Sequence, residues 1–177
     1  MKIKRDCSKY SNGANMNKII PMLLIIGFSQ LATLSAYEII VNKTTSFYTK
    51  NKPLERDNAK EVVIDSNTKL MWQDNASVKT TKKTWSKAIG YCKNLRFAGH
   101  GGWRLPSIDE LLSITDDTKY NPAIKDGFLN VSASDYWSSS PDVSDSSDAW
   151  CVNFKGGSNG SWGTKSFSLL VRCVRDN

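Results

Sequence analysis

Apolar positions change period several times along the second half of the chain, and each change marks an element. Val62-Val63-Ile64 is a short β-rich run, Asp65-Ser66-Asn67-Thr68 is turn chemistry, and Leu70-Met71-Trp72 resumes the apolar run. That order predicts a β-hairpin. After Thr84, a residue suited to an N-cap, Trp85, Ala88, Ile89, Cys92 and Leu95 recur at helical spacing and place Cys92 on the buried face. Gly99-His100-Gly101-Gly102 ends that helix. Ser107 and Glu110 then have capping-box spacing, with the hydroxyl and the carboxylate each serving the other residue's amide. Ile108, Leu111 and Leu112 supply the core face of this second, shorter helix. The remainder reads as β: Tyr136-Trp137-Ser138, then Ala149 to Phe154 with Trp150, Val152 and Phe154 alternating onto one face. Lys155 to Gly160 reads as a turn, and Leu169 to Arg175 as one closing strand. The expected class is α+β, a small, mostly antiparallel sheet with two short helices.

The first third of the chain is different. Met16-Asn17-Lys18 opens a positive segment, Ile19 to Phe28 is nearly all apolar, and Leu34-Ser35-Ala36 closes with small residues. About ten apolar residues are too few to span ~30 Å of hydrocarbon, but they suit a signal peptide cleaved near Ala36. Met16 is then the expected start of translation. The expected organisation is an export signal over 1–36, a polar arm over 37–60 and one domain over 61–176. No membrane span is expected after cleavage, and the location is extracytoplasmic, periplasmic or at the cell surface.

Charge changes the picture once the signal is set aside. The whole chain carries a formal +7. Residues 1–36 hold five basic side chains and one acidic, so nineteen basic and sixteen acidic residues remain, a net of only +3. Overall charge therefore gives no reason to expect nucleic acid as a partner. The distribution is more telling. From Ala76 to Arg104 there is no acidic residue but seven basic ones, whereas Ser107 to Asp148 has nine acids against Lys119 and Lys125. Lys79, Lys82, Lys83 and Lys87 are expected to form a contiguous positive patch that attracts sulfate or carboxylate groups. Trp162, in a Gly/Ser-rich segment, is the Trp that core packing explains least, and a ring of this kind can stack on a sugar. An anionic polysaccharide is the partner class these residues suit; the oligomeric state is not legible.

Other chemistry fares less well. Cys92, Cys151 and Cys173 are the three cysteines beyond the signal, so one pair and one leftover or intermolecular thiol are expected, with Cys151–Cys173 a competing pair. His100 is the only histidine, and no metal-ligand spacing exists, so neither a zinc site nor a cofactor is expected. Asp142, Asp145 and Asp148 resemble a calcium-binding loop in composition, but they lack a known ligand spacing, and exposed turns are rich in Asp and Ser anyway. No nucleophile and base are paired, and no catalytic residue is assigned.

Asp65…Leu70-Met71-Trp72, Ala88…Tyr91-Cys92, Gly102-Trp103-Arg104-Leu105-Pro106-Ser107…Glu110-Leu111, Tyr136-Trp137-Ser138-Ser139 and Val171-Arg172-Cys173-Val174-Arg175 occur in that order. Together they resemble the Lcl C-terminal domain family, named for a bacterial collagen-like adhesin that binds sulfated glycosaminoglycans. The resemblance implies an exported, non-enzymatic binding or adhesion module, in which Trp103, Arg104, Pro106, Ser107, Glu110, Trp137 and Arg172 are structural. More distantly the chain resembles the formylglycine-generating-enzyme and C-type-lectin-like folds; the lectin-like resemblance implies a Cys92–Cys173 disulfide, with Cys151 free or intermolecular. No Gly-X-Y repeat is present, so a collagen stalk and its trimer do not carry over. An envelope structural or protein-interaction domain is the alternative, and a divergent formylglycine-generating-type enzyme a remote one.

Overall fold

The structure is a computed structural model, and it describes residues 52–177 apart from the side chains of Ser161 and Trp162. The expected signal peptide and the arm up to Asn51 lie outside the described residues. Three strands open the domain: β1 (Glu55–Asp57), β2 (Val62–Asp65) and β3 (Leu70–Gln73). The β2–β3 hairpin turns where expected, because Asp65 Oδ1 accepts the amides of Asn67 and Thr68 at 2.9 and 3.4 Å. A 3₁₀ turn over Ala76–Lys79 leads to β4 (Lys82–Lys83) and then to α1 (Trp85–Asn94). After it come α2 (Ile108–Ser113), β5 (Asp135–Pro141), β6 (Asp148–Asn153), β7 (Ser158–Thr164), β8 (Leu169–Leu170) and β9 (Val174–Asp176).

These strands make two sheets where the sequence suggested one, in the orders β1-β2-β3-β9 and β4-β8-β5-β6-β7. All pairings are antiparallel except β5 with β8, which is parallel. Adjacent residues of a strand face opposite ways, and here both directions are buried. Val63, Leu70, Trp72, Tyr136, Val152 and Phe154 enter one cluster with Leu111 of α2. Their neighbours Val62, Met71, Trp137 and Cys151 enter a second with Ala88 and Cys92 of α1. The two helices therefore cover opposite faces, which explains why the strands read as apolar runs rather than clean alternation.

Between the sheets lies a buried polar hub at the end of β3. The Asp74 side chain is fully buried and pairs with the guanidinium groups of Arg56 and Arg172. It also accepts the amides of Leu129 (2.9 Å) and Asn130 (3.2 Å). The equally buried Arg172 donates to Gln73 O at 2.8 Å and lies 4.7 Å from the Phe128 ring centroid.

Several local expectations need correction. Glu55–Asp57 is a strand paired with β2, so the polar arm ends before Glu55 and not at Lys60. Thr84 does stand at the N-cap of α1, but its side chain makes no capping bond. The single closing strand is two: Leu169–Leu170 belongs to one sheet and Val174–Asp176 to the other. Val171, Arg172 and Cys173 cross between them, all buried, so an apolar run there marks a crossover and not a ladder. Trp150 is half-exposed rather than inside with Val152 and Phe154, because the β6–β7 register slips between Ala149 and Cys151.

The turn expected over Lys155 to Gly160 is shorter. Ser158, Asn159 and Gly160 already belong to β7, a strand that composition concealed. Its glycine content has a packing cause: a Cβ on Gly163 would sit 2.3 Å from Trp137 Cζ3 and 2.6 Å from Cη2. Trp137 is fully buried, and its indole N–H is committed to Lys83 O at 2.9 Å, so it cannot swing away freely. Gly163→Ala is accordingly expected to cost about 1–3 kcal/mol by overpacking. Urea unfolding of the variant measures this, and a loss below about 0.5 kcal/mol would show that the Trp137 ring adjusts after all.

Candidate binding surface

The basic segment is mounted on a rigid support. α1 buries Ala88 and Cys92, and Cys92 is bonded to Cys173 with an S–S distance of 2.04 Å. This is the pairing implied by the lectin-like resemblance, and it excludes the Cys151–Cys173 alternative. The described residues contain no free cysteine, so Cys151 is not the spare thiol that an odd count implied. At the start of α1 the Trp85 amide donates to Lys165 O (3.1 Å), and the Trp85 indole N–H donates to Ser138 O (2.8 Å). β4 is fixed through its pairing with β8 and through the Trp137 bond to Lys83 O.

On this support the four lysines separate. Lys82 and Lys83 are consecutive strand residues and face opposite ways. Lys82 pairs with the buried Leu170, on the side of the α2 cluster; Lys83 pairs with Leu169, on the α1 side. The Lys83 ammonium lies 6.0 Å from the Tyr91 ring centroid, and Lys87 stands four residues before Tyr91 on the same helix face. Lys79 ends the 3₁₀ turn and is exposed. One unified patch of four is thus resolved into a Lys83–Lys87–Tyr91 group with Lys79 and Lys82 apart from it. None of the four forms an ion pair among the described residues.

Sequence reasoning missed a fifth cation. Lys165, on the segment after β7, places its ammonium 4.7 Å from the Trp85 ring centroid while donating to Ser146 O at 2.7 Å. Eighty residues separate it from Trp85, and no local pattern signals the contact. Two cations therefore lie over two half-buried aromatic rings of α1. For Trp162 the backbone lies in β7, and the side chain is outside the described residues.

The family-motif residues are occupied within the fold. Arg104 binds Glu110 with two bonds of 2.7 Å, and Ser107 and Glu110 complete the capping box. The Arg104 guanidinium, aided by the Ser107 amide, holds the Glu110 carboxyl below its ordinary range despite partial burial. Trp103 is buried and donates to His100 O at 3.2 Å; Pro106 O accepts the Ser139 amide at 2.7 Å. Asp142 Oδ1 accepts from the Ser144 amide and hydroxyl, Asp145 Oδ1 does the same for Ser147, and Asp148 is buried. Asp142 and Asp145 each accept bonds within their own turns, and no cluster of acidic, His or Cys side chains suited to a metal occurs among the described residues. No helix among them is long and apolar enough to cross a membrane.

A family model described as the Lcl C-terminal domain matches residues 61–175. No curated protein matches the chain.

Proposed function

The chain belongs to the Lcl C-terminal domain family, an extracellular adhesion-type module, and from that premise we propose that it binds an anionic, sulfated polysaccharide along the outer face of α1. One observation supports this reading above the others: around α1, held by a disulfide and by the Trp85 indole bond, stand cations that no carboxylate among the described residues neutralises, and two of them, Lys83 on β4 and Lys165 after β7, are set over the Tyr91 and Trp85 rings. Cations provide the long-range attraction. Aromatic faces offer a sugar ring something flat to stack on. Residues 1–36 serve in this reading as the export signal.

Each exposed lysine is expected to contribute little, about 0.2–1 kcal/mol. Replacing Lys79, Lys82, Lys83 and Lys87 together by Ala should remove ~1–4 kcal/mol of heparin binding if the effects add. The separation of Lys82 from Lys83 refines this: Lys83→Ala and Lys87→Ala should each weaken binding more than Lys82→Ala. Affinity should fall as salt rises, because the Debye length is only ~8 Å at physiological ionic strength. Isothermal titration at two salt concentrations, with thermal unfolding as a check on the fold, measures all of this. A folded quadruple variant that binds heparin as tightly as wild type would reject the reading, and no binding by wild type would favour an envelope protein-interaction domain instead.

A further inference from the structure

The other end of α1 carries a second basic feature that the polysaccharide reading does not use. Beyond Leu95 the chain makes a two-residue hairpin turn. The Phe97 amide donates to His100 O at 3.0 Å, and the His100 amide to Phe97 O at 2.9 Å. Ala98 and Gly99 both adopt left-handed backbone, with φ of 56° and 80°. Such a conformation is costly for alanine, and strain of this kind gathers at functional sites. Beside the turn is an open cavity of about 480 Å³, lined by Arg96, Phe97, Ala98, Gly99, His100 and Gly101.

Two guanidinium groups meet at Gly101: Arg96 lines the cavity, and Arg175, outside the lining, touches the Gly101 carbonyl. Arg96 lies against Gly101 so closely that a Cβ on Gly101 would be 3.3 Å from its Cζ, and it donates to Leu95 O at 3.2 Å. Arg175 reaches Gly101 as well, donating to its carbonyl at 3.0 Å, and its Nε–H donates to Asp176 O at 2.8 Å. Backbone carbonyls therefore fix both groups without neutralising them. Neither has a carboxylate partner among the described residues, and the adjacent Asp176 carboxylate is bound to Arg104. The His100 ring makes no hydrogen bond among the described residues, and the Phe97 ring, 5.8 Å from that of Trp103, forms an apolar wall.

We propose that this cavity binds a phosphate monoester. The Arg96 guanidinium in the lining and that of Arg175, 3.0 Å from the carbonyl of the lining residue Gly101, together match a dianion, a charge that a phosphate monoester approaches at neutral pH. A sulfate ester or a carboxylate carries one charge and would leave a guanidinium unmatched. The planar donor forks of arginine suit phosphate oxygens, and the imidazole of His100 adds a donor. A volume of about 480 Å³ also leaves space for a body the size of a sugar.

Amide and His100 ring resonances of the isotope-labelled protein can be followed while glucose 6-phosphate, glucose 6-sulfate or inorganic phosphate is added at pH 7.5. Glucose 6-phosphate is expected to shift Phe97 to Gly101 and to bind several-fold more tightly than glucose 6-sulfate. Arg96→Ala and Arg175→Ala should each weaken it about tenfold; Arg96→Lys should fall between, and Lys83→Ala should change nothing. Equally tight inorganic phosphate would support the site and assign recognition to the phosphate alone. Equal binding of phosphate and sulfate esters, no shift at this turn, or undiminished binding by a folded Arg96→Ala variant would each overturn the proposal.

Discussion

Asp74→Ala is expected to cost about 3–5 kcal/mol, a large share of the 5–15 kcal/mol that usually separates a folded domain from its unfolded chain. The carboxylate is fully buried and opposes two guanidiniums, one of them, Arg172, fully buried as well. Removing it strands a cation away from water and also leaves the Leu129 and Asn130 amides without their acceptor. Arg172 already has one buried donor without a partner, its Nε–H, so it has no spare bonding to fall back on. Asp74→Asn should do almost as much damage, because an amide nitrogen would face donors where an oxygen accepted them. The double variant Asp74→Ala/Arg172→Met should be more stable than Asp74→Ala alone, since it no longer buries an unmatched charge. Urea unfolding of the three variants decides this, and strictly additive losses would show that the hub is not a coupled unit.

Loss of the Cys92–Cys173 bond should rank next. The two cysteines are 81 positions apart, and chain entropy for a loop of that size gives ~4–5 kcal/mol, with about 2–5 kcal/mol typical for removal of a native bridge. The Cys92→Ala/Cys173→Ala pair avoids burying new hydroxyl groups. Its effect should concentrate on α1, whose covalent attachment to the crossover segment is lost, so amides from Trp85 to Asn94 should lose hydrogen-exchange protection first. A loss below 1 kcal/mol with α1 still protected would mean that Ala88, Trp85 and Ile89 hold the helix by packing alone.

Legibility followed the range of the interactions. The capping box of α2 and the Asp65 turn depend on residues within three positions of each other, and both could be read from spacing. The apolar face of α1 was equally legible. What escaped was set by distant partners. β7 reads as loop because Gly163 must admit a tryptophan 26 positions earlier, and nothing around Gly163 reveals that ring. The run from Leu169 to Arg175 has ordinary strand composition, yet the chain changes sheets inside it to bury Arg172 against Asp74. Arg56 reads as part of a polar arm because its counter-ion lies 18 positions further on. At the candidate surface the lysines were visible, but strand alternation separates Lys82 from Lys83, and Lys165 arrives from far along the chain.

The bridge between α1 and the crossover segment has a mechanical meaning. A tethered ligand that pulled on α1 would load Cys92 directly, since this residue lies on the inner face of the same helix. The tension would pass through a covalent bond to Cys173, the residue immediately before β9. From β9 it would spread across the backbone bonds of β3, β2 and β1. The helix could not be peeled from the sheets one side chain at a time. Under force the weak element would instead be β1, three residues long and lying on the sheet's edge, where Arg56 anchors it to Asp74.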